Sequence, residues 1–189
     1  RMNYFNYNFY ISYHQDLKDH TYEQALLHFN DYGINEQRIF NSKLIHFDCD
    51  YYKTKLKLIS KWYCACIHFL DNQFEIPFNK QLEYLEVDYY NTQINELEYN
   101  YFETCLHFLQ YNSEIPFNEK LINFDFNFYK DYYYSELNKY KYRDLCNHFL
   151  EIGIKENRLY NEKLINFDFN FYINYSGLTD LDYYSASTH

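Results

Sequence analysis

Turn-forming residues are scarce in this chain. Its 189 residues include 3 Gly and 2 Pro, where ordinary usage is about 7 % Gly and about 5 % Pro. Sandwiches, barrels and dinucleotide-binding folds need Gly and Pro at many turns, so this scarcity argues against all three. Cations are also in short supply: 17 Lys+Arg stand against 27 Asp+Glu, a formal net charge of −10. No basic field is available to neutralise phosphates, so no nucleic-acid binding is expected. No apolar run approaches the roughly 20 residues of a membrane span, so no membrane insertion is expected. The opening Arg1-Met2-Asn3-Tyr4 lacks a basic head followed by an apolar stretch, so no signal peptide is expected either. A Gly-rich phosphate loop, G-x-S-x-G and HExxH are all missing. These absences lead us to expect no enzyme and no cofactor.

What is abundant is aromatic: 26 Tyr and 18 Phe. Such a chain can build a core and does not read as disordered. Phe, Tyr, Asn, Ile and Lys have A/T-rich codons, while Gly, Ala, Pro and Arg, with G/C-rich codons, are rare. Part of the aromatic excess therefore reflects an A/T-rich genome. The five cysteines, Cys49, Cys64, Cys66, Cys105 and Cys146, are odd in number in a chain that is not Cys-dense. They read as reduced thiols in an intracellular compartment.

The aromatics are periodic. Phe124-Asp125-Phe126-Asn127-Phe128-Tyr129 recurs as Phe167-Asp168-Phe169-Asn170-Phe171-Tyr172, with weaker copies starting at Phe5, Phe47 and Leu85. His28, His68, His107 and His148 form a second landmark, each followed by Phe. Phe40-Asn41, Phe78-Asn79, Phe117-Asn118 and Tyr160-Asn161 form a third. The whole of 1–189 thus reads as one helical repeat domain with repeats at 5–46, 47–84, 85–123 and 124–166 and a half-repeat at 167–181. The first and fourth repeats share a long connection, Gly33-Ile34-Asn35-Glu36-Gln37-Arg38 and Gly153-Ile154-Lys155-Glu156-Asn157-Arg158. The second and third carry a shorter one, containing Glu75-Ile76-Pro77 and Glu114-Ile115-Pro116.

Each repeat reads as two helices. Counting from the repeat His, position −6 is Tyr22, Trp62, Tyr101 or Tyr142; position −2 is Leu26, Cys66, Cys105 or Cys146; position +1 is Phe29, Phe69, Phe108 or Phe149. Steps of four and three place these on one core stripe of the second helix. Thr21-x-x-Gln24 and Asn100-x-x-Glu103 are capping boxes. Gly33 and Gly153 fit left-handed C′ positions. The first helix starts at Asp48, Asp125 or Asp168, good N-caps, and its FD-x-x-FY aromatics are assigned to the core. A short Asn-capped turn precedes it, whose aromatic is expected to staple onto Ile45, Ile122 or Ile165. The fold expected is all-α, a short right-handed α-solenoid of about four helical-hairpin repeats.

The pattern FDFNFY, then TYEQALLHFNDYGINEQR, then NxKL resembles a repeat in proteins of giant, mimivirus-like DNA viruses. Similar units accompany glycosyltransferase modules in bacterial proteins. The resemblance is strongest at 5–46 and 124–175; the Gly-Ile-x-Glu-x-Arg element is missing from 47–123. It implies a helical repeat module with no defined chemistry, and a host-cytoplasm or virion setting.

Cys66-x-His68, Cys105-x-His107 and Cys146-x-His148 suggest zinc, but residues two apart on a helix point about 200° apart. Leu26 at the same position marks it as apolar, so no metal site is expected. The histidines read as hydrogen-bonded packing residues, with a pH-sensing ladder as the rival. Arg38 and Arg158 are expected to pair with Glu36 or a neighbouring carboxylate. Surplus Tyr on a small repeat array suits a protein interface. The function expected is non-enzymatic, an interaction or scaffold module for a protein partner or for self-association. A carbohydrate-binding or glycosylation-accessory module is the alternative.

Overall fold

A computed structural model describes residues 3–72, 76–111 and 114–189. Among these the chain is all-helical, with no strand. The α-helices are α1 (Tyr7–Tyr13), α2 (Tyr22–His28), α3 (Cys49–Leu56), α4 (Trp62–Asn72), α5 (Val87–Ile94), α6 (Tyr101–Gln110), α7 (Phe126–Tyr132), α8 (Tyr134–Leu137), α9 (Tyr142–His148), α10 (Phe169–Ser176) and α11 (Tyr183–Thr188). None of them is long and apolar enough to cross a membrane. Two compact units are present: Arg1–Glu83 with Asn100–Gln110, and Tyr84–Tyr99 with Tyr111–His189.

The start signals in the sequence work as local chemistry predicts. Asp48, Asp125 and Asp168 accept from the N–H groups of Tyr51, Phe128 and Phe171, closing the first turns of α3, α7 and α10. Asn6 does the same for α1. Both capping boxes form: Thr21 with Gln24, and Asn100 with Glu103. Asn41, Asn79, Asn118 and Asn161 cap short 3₁₀ turns.

Those four Asn side chains also do something the sequence left unread. Each Nδ2 donates back to the carbonyl just before its own repeat's first landmark: Tyr4, His46, Tyr84 and Asn123, at 2.9–3.0 Å. In return the N–H groups of Asn6, Asp48, Glu86 and Asp125 donate to the carbonyls of Phe40, Phe78, Phe117 and Tyr160. Each repeat is therefore clasped start to end by two hydrogen bonds. An Asn is needed because one side chain must both accept at the turn and donate across the clasp.

Inside the clasp sits an aromatic core. Phe5, Tyr10, Phe29 and Phe40 pack ring against ring in the first repeat, as do Phe47, Tyr52, Phe69 and Phe78 in the second. In the fourth the set is Phe124, Tyr129, Phe149 and Tyr160. In the second, third and fifth repeats a ring at position −5 lies against the preceding repeat; in the fourth that position is Arg143. Tyr63 lies on Phe29 and Phe40, Phe102 on Phe69 and Phe78, and Tyr184 on Phe149 and Tyr160.

Several expectations need correction. Tyr22, assigned to the core stripe, is 49 % exposed. It meets Phe5 and Tyr7 of its own repeat, whereas Trp62 at the same position packs on Phe40 of the preceding one. Leu26 is half-buried, while Cys66, Cys105, Cys146 and all four Phe of position +1 are buried. The deeper position is −3, held by Ala25, Ala65, Thr104 and Leu145. Ile45, Ile122 and Ile165 are exposed; the preceding Leu44, Leu121 and Leu164 are the buried anchors, because the turn is 3₁₀ and places its third residue inward. Gly33 and Gly153 are not left-handed: each ends a π turn, Phe29–Gly33 or Phe149–Gly153, and φ is positive instead at Gln37 and Asn157. These glycines are required by space, since a Cβ would lie 2.5 Å from Tyr10 Oη at Gly33 and 2.6 Å from Tyr129 Oη at Gly153. The fifth repeat also runs past 181. Tyr183, Ala186 and His189 fall at positions −6, −3 and 0. Glu75 of the shorter connection lies outside the described residues.

Candidate functional site

The repeat histidines serve to join the two helices of a repeat. The Tyr that closes FD-x-x-FY points inward and meets His Nδ1 through its hydroxyl. Tyr10–His28 is 3.1 Å, Tyr52–His68 3.0 Å, Tyr129–His148 3.0 Å and Tyr172–His189 2.8 Å. Tyr90 and His107 hold the same positions in the third repeat. The sequence places these tyrosines in the core without pairing them to the histidines; the signal for the pairing is the invariance of Tyr at that place in all five copies. Burial raises the phenols of Tyr10, Tyr52 and Tyr129, that of Tyr10 to about 12. They stay protonated and act as hydrogen-bond partners.

The first and fourth repeats add charge beside this link. Arg38 binds Asp16 and Glu36, both at 2.6 Å. Arg158 binds Glu136 at 2.9 Å and Glu156 at 2.7 Å, and its guanidinium lies 4.9 Å from the centre of the Tyr133 ring. The Arg158 hydrogen bond holds Glu136 below the usual carboxylate range. His148 is buried. Its Nε2 lies 3.3 Å from Glu136 Oε1, within ion-pairing distance though not aligned as a hydrogen bond.

All five cysteines are free thiols. Burial pushes Cys105 and Cys146 up to about 12 and raises Cys66 as well, so these three are inert core groups. Cys64 is exposed, in a cleft of about 660 Å³ with Tyr4, Tyr63, Ile67 and Asp71. Among the described residues no three of His, Cys, Asp and Glu group so as to hold a metal ion.

The outward faces of the first helices carry the remaining chemistry. Because the closing Tyr of FD-x-x-FY points in, the residue before it and the one four further on point out. In the first repeat these are Phe9 and Tyr13, stacked at 5.1 Å; in the fourth Phe128 and Tyr132, tilted at 5.3 Å; in the fifth Phe171 and Tyr175, stacked at 5.9 Å. Phe171 is 67 % and Tyr175 85 % exposed, and α10 buries none of its residues. The exposed Ile45, Ile122 and Ile165 hold the register position of Glu83 in the second repeat. There Tyr51 and Lys55 replace the ring pair, and Lys55 reaches Glu83 at 3.2 Å. By that register, Ile45 stands beside the Phe9–Tyr13 pair and Ile165 beside Phe128–Tyr132. An apolar patch in the first and fourth repeats is thus an ion pair in the second.

No family model matches the chain, and no curated protein or solved structure matches it.

Proposed function

We propose that this chain is a non-enzymatic helical-repeat module, its repeats stacked as a short α-solenoid, that holds another protein on the outer faces of its first helices. One observation carries the reading: a half-buried Phe paired with an exposed Tyr, together with an exposed Ile, recurs at one register, as Phe9, Tyr13 and Ile45 and again as Phe128, Tyr132 and Ile165. Apolar residues scattered singly over a surface are ordinary. Aromatic patches repeated in phase are the composition of interface cores. Stacking of repeats is supported by the ring at −5 of the second and fifth repeats, which lies against two aromatics of the preceding repeat, the nearest-neighbour coupling on which repeat arrays depend. The resemblance to giant-virus repeat proteins suggests an infected host's cytoplasm or a virion as the setting.

Affinity capture with the wild-type chain and with Tyr13→Ser/Tyr132→Ser tests the reading. We expect a specific protein partner that the double variant loses while its circular dichroism stays unchanged. A partner held equally by both proteins overturns the patch as the binding face. The nearly coplanar Phe171–Tyr175 pair, 10° between rings, favours one alternative, a carbohydrate-binding or glycosylation-accessory role, because sugars lie on flat ring faces. A glycan array on which the chain stays silent removes it.

A further inference from the structure

The second and third repeats carry opposite charge on the loop between their two helices. Both loops leave the first helix alike. Lys57 and Asn95 are left-handed, φ 55° and 58°. The next N–H turns back to the helix: Leu58 donates to the Lys53 carbonyl at 2.9 Å, and Glu96 to that of Asn91 at 3.1 Å. Each loop then runs out to an aliphatic tip. Ile59 is 104 % exposed and Leu97 is 75 % exposed.

Around the tips the two loops part. Lys57-Leu58-Ile59-Ser60-Lys61 sets its tip between two lysines, and Glu96-Leu97-Glu98 sets its tip between two glutamates. All four charged residues are exposed, and among the described residues none of the four enters an ion pair. The basic tip borders a cleft of about 610 Å³, lined by Lys53, Lys57, Leu58 and Ile59 together with Asp50. A lysine at position 57 is itself an outlier. The third and fifth repeats place Asn95 and Gly177 in this left-handed conformation, residues that accept it with less strain. The second repeat holds a cation there against its backbone preference, and strained positions of this kind gather at functional sites.

We propose that the two loops bind each other between copies of this chain: Leu97 of one protomer enters the cleft beside Ile59 of its partner, with Glu96 and Glu98 facing Lys53, Lys57 and Lys61. Charge complementarity selects a second copy as the occupant, because one chain carries both halves of the match. The aliphatic tips supply affinity as they leave water, and the flanking charges fix the register. The net charge of −10 opposes any association of copies, so the attraction is local to the loops. The contact lies apart from the ring faces of the first helices and does not depend on them. Because the two patches are unlike, it can join more than two copies.

Sedimentation velocity of the full chain over a concentration series, at physiological salt, tests this. The wild type is expected to associate below about 1 mM. Ile59→Ser removes an exposed tip and keeps every charge; it is expected to weaken association about tenfold. Lys57→Glu/Lys61→Glu and Glu96→Lys/Glu98→Lys, all at exposed positions, are each expected to sediment as monomers. The second of these also reduces the net negative charge, so diffuse repulsion alone predicts that it associates more than the wild type, the opposite result. Mixed in equal amounts, the two charge variants are expected to associate again, since the acidic tip of the first meets the basic tip of the second. Circular dichroism checks that each variant keeps its helices; if a charge variant unfolds, Ile59→Ser and Leu97→Ser decide alone. A wild type that stays monomeric throughout the series overturns the proposal, as does a Glu96→Lys/Glu98→Lys chain that associates as well as the wild type. Association lost in Tyr13→Ser/Tyr132→Ser but unchanged in the loop variants would place the self-contact on the ring faces and remove this one. Loss of partner capture in that double variant, with self-association intact, bears on the ring faces alone.

Discussion

The first and fourth repeats share a device that the second lacks, and it spans two connections. After α1 the chain takes a further 3₁₀ turn, Gln15–Leu17; after α7 it continues as α8. These extra turns bury Leu17 and Leu137 and bring up Asp16 and Glu136. After α2 and α9 a π turn ends on Gly33 or Gly153 and leads to Arg38 or Arg158. The two connections meet as Asp16–Arg38 and Glu136–Arg158. In the second repeat the first helix instead stops at Lys57 in a left-handed conformation, φ 55°. The longer second connection is visible in sequence as a two-residue insertion. The ion pairs show why it travels with a change 22 residues earlier: each arginine needs a carboxylate that only the extra turn can supply.

The comparison implies a common core under different connections, and the largest effects test that. Phe69→Ala in the second repeat and Phe149→Ala in the fourth should each cost about 3–5 kcal/mol in denaturant unfolding, because each ring is buried against three or more aromatics in either repeat type. A cost confined to one of the two would break the common-core picture. Next comes Gly153→Ala, at about 1–3 kcal/mol, since its Cβ would fall 2.6 Å from Tyr129 Oη and 2.9 Å from the Phe149 ring. The Tyr129–His148 bond should lengthen with it, read as a shift of the His148 ring resonances. At Gly177, φ 71°, a Cβ meets nothing within 4 Å, so Gly177→Ala bears only left-handed backbone strain of about 1 kcal/mol. Equal costs at the two glycines would refute the close-approach explanation.

How much of this was legible in the sequence follows from where each signal is local. N-caps, capping boxes and the Asn-capped turns depend on residues within four of one another, and the pattern of Asp48, Thr21 or Asn118 states them outright. The second-helix stripe was recoverable at Phe29, Phe69, Phe108 and Phe149 from spacing alone. The inward Tyr10, Tyr52 and Tyr129 were not: FD-x-x-FY supplies aromatics to both faces of the helix, so hydrophobicity cannot say which ring is the core. The glycines were misread for a similar reason. A Gly before Ile at a helix end suits both a left-handed cap and a close approach, and only the position of Tyr10 or Tyr129 separates the two. The candidate binding faces needed the structure as well. Their meaning comes from comparing Lys55–Glu83 with Tyr13 and Ile45, positions about 30 residues apart in each repeat.

The ion pairs themselves should be worth less than the packing. Arg158 is mostly enclosed, lies on the Tyr133 ring and bridges two carboxylates. Arg158→Met should cost about 1 kcal/mol, at the upper end for pairs whose acidic partners face solvent. Lys55→Met, which breaks the exposed Lys55–Glu83 pair, should leave the unfolding midpoint almost unmoved. A larger loss for Lys55→Met than for Arg158→Met would reverse the ranking of the two repeat types.

The smallest effect is a pH dependence written into the first repeat. Burial, with the charge of Arg38 second, lowers His28 below its ordinary value of 6.5. The unfolded chain then binds the proton more readily than the folded one, so stability is fully present above about 6.5 and declines as pH falls through the folded value. Tyr10 works at the other end. Its phenol is raised by burial from 10.0 to about 12, so the stability it contributes is present below about pH 10 and lost as pH rises toward 12. Both groups belong to one hydrogen bond, Tyr10–His28, and both face Arg38. Arg38→Met should therefore raise the His28 titration midpoint followed by proton NMR, and move the Tyr10 midpoint up as well, since the arginine lowers both. A His28 midpoint at or above 6.5 in the wild type, or one that Arg38→Met leaves in place, would detach the charged connection from the Tyr–His link it flanks.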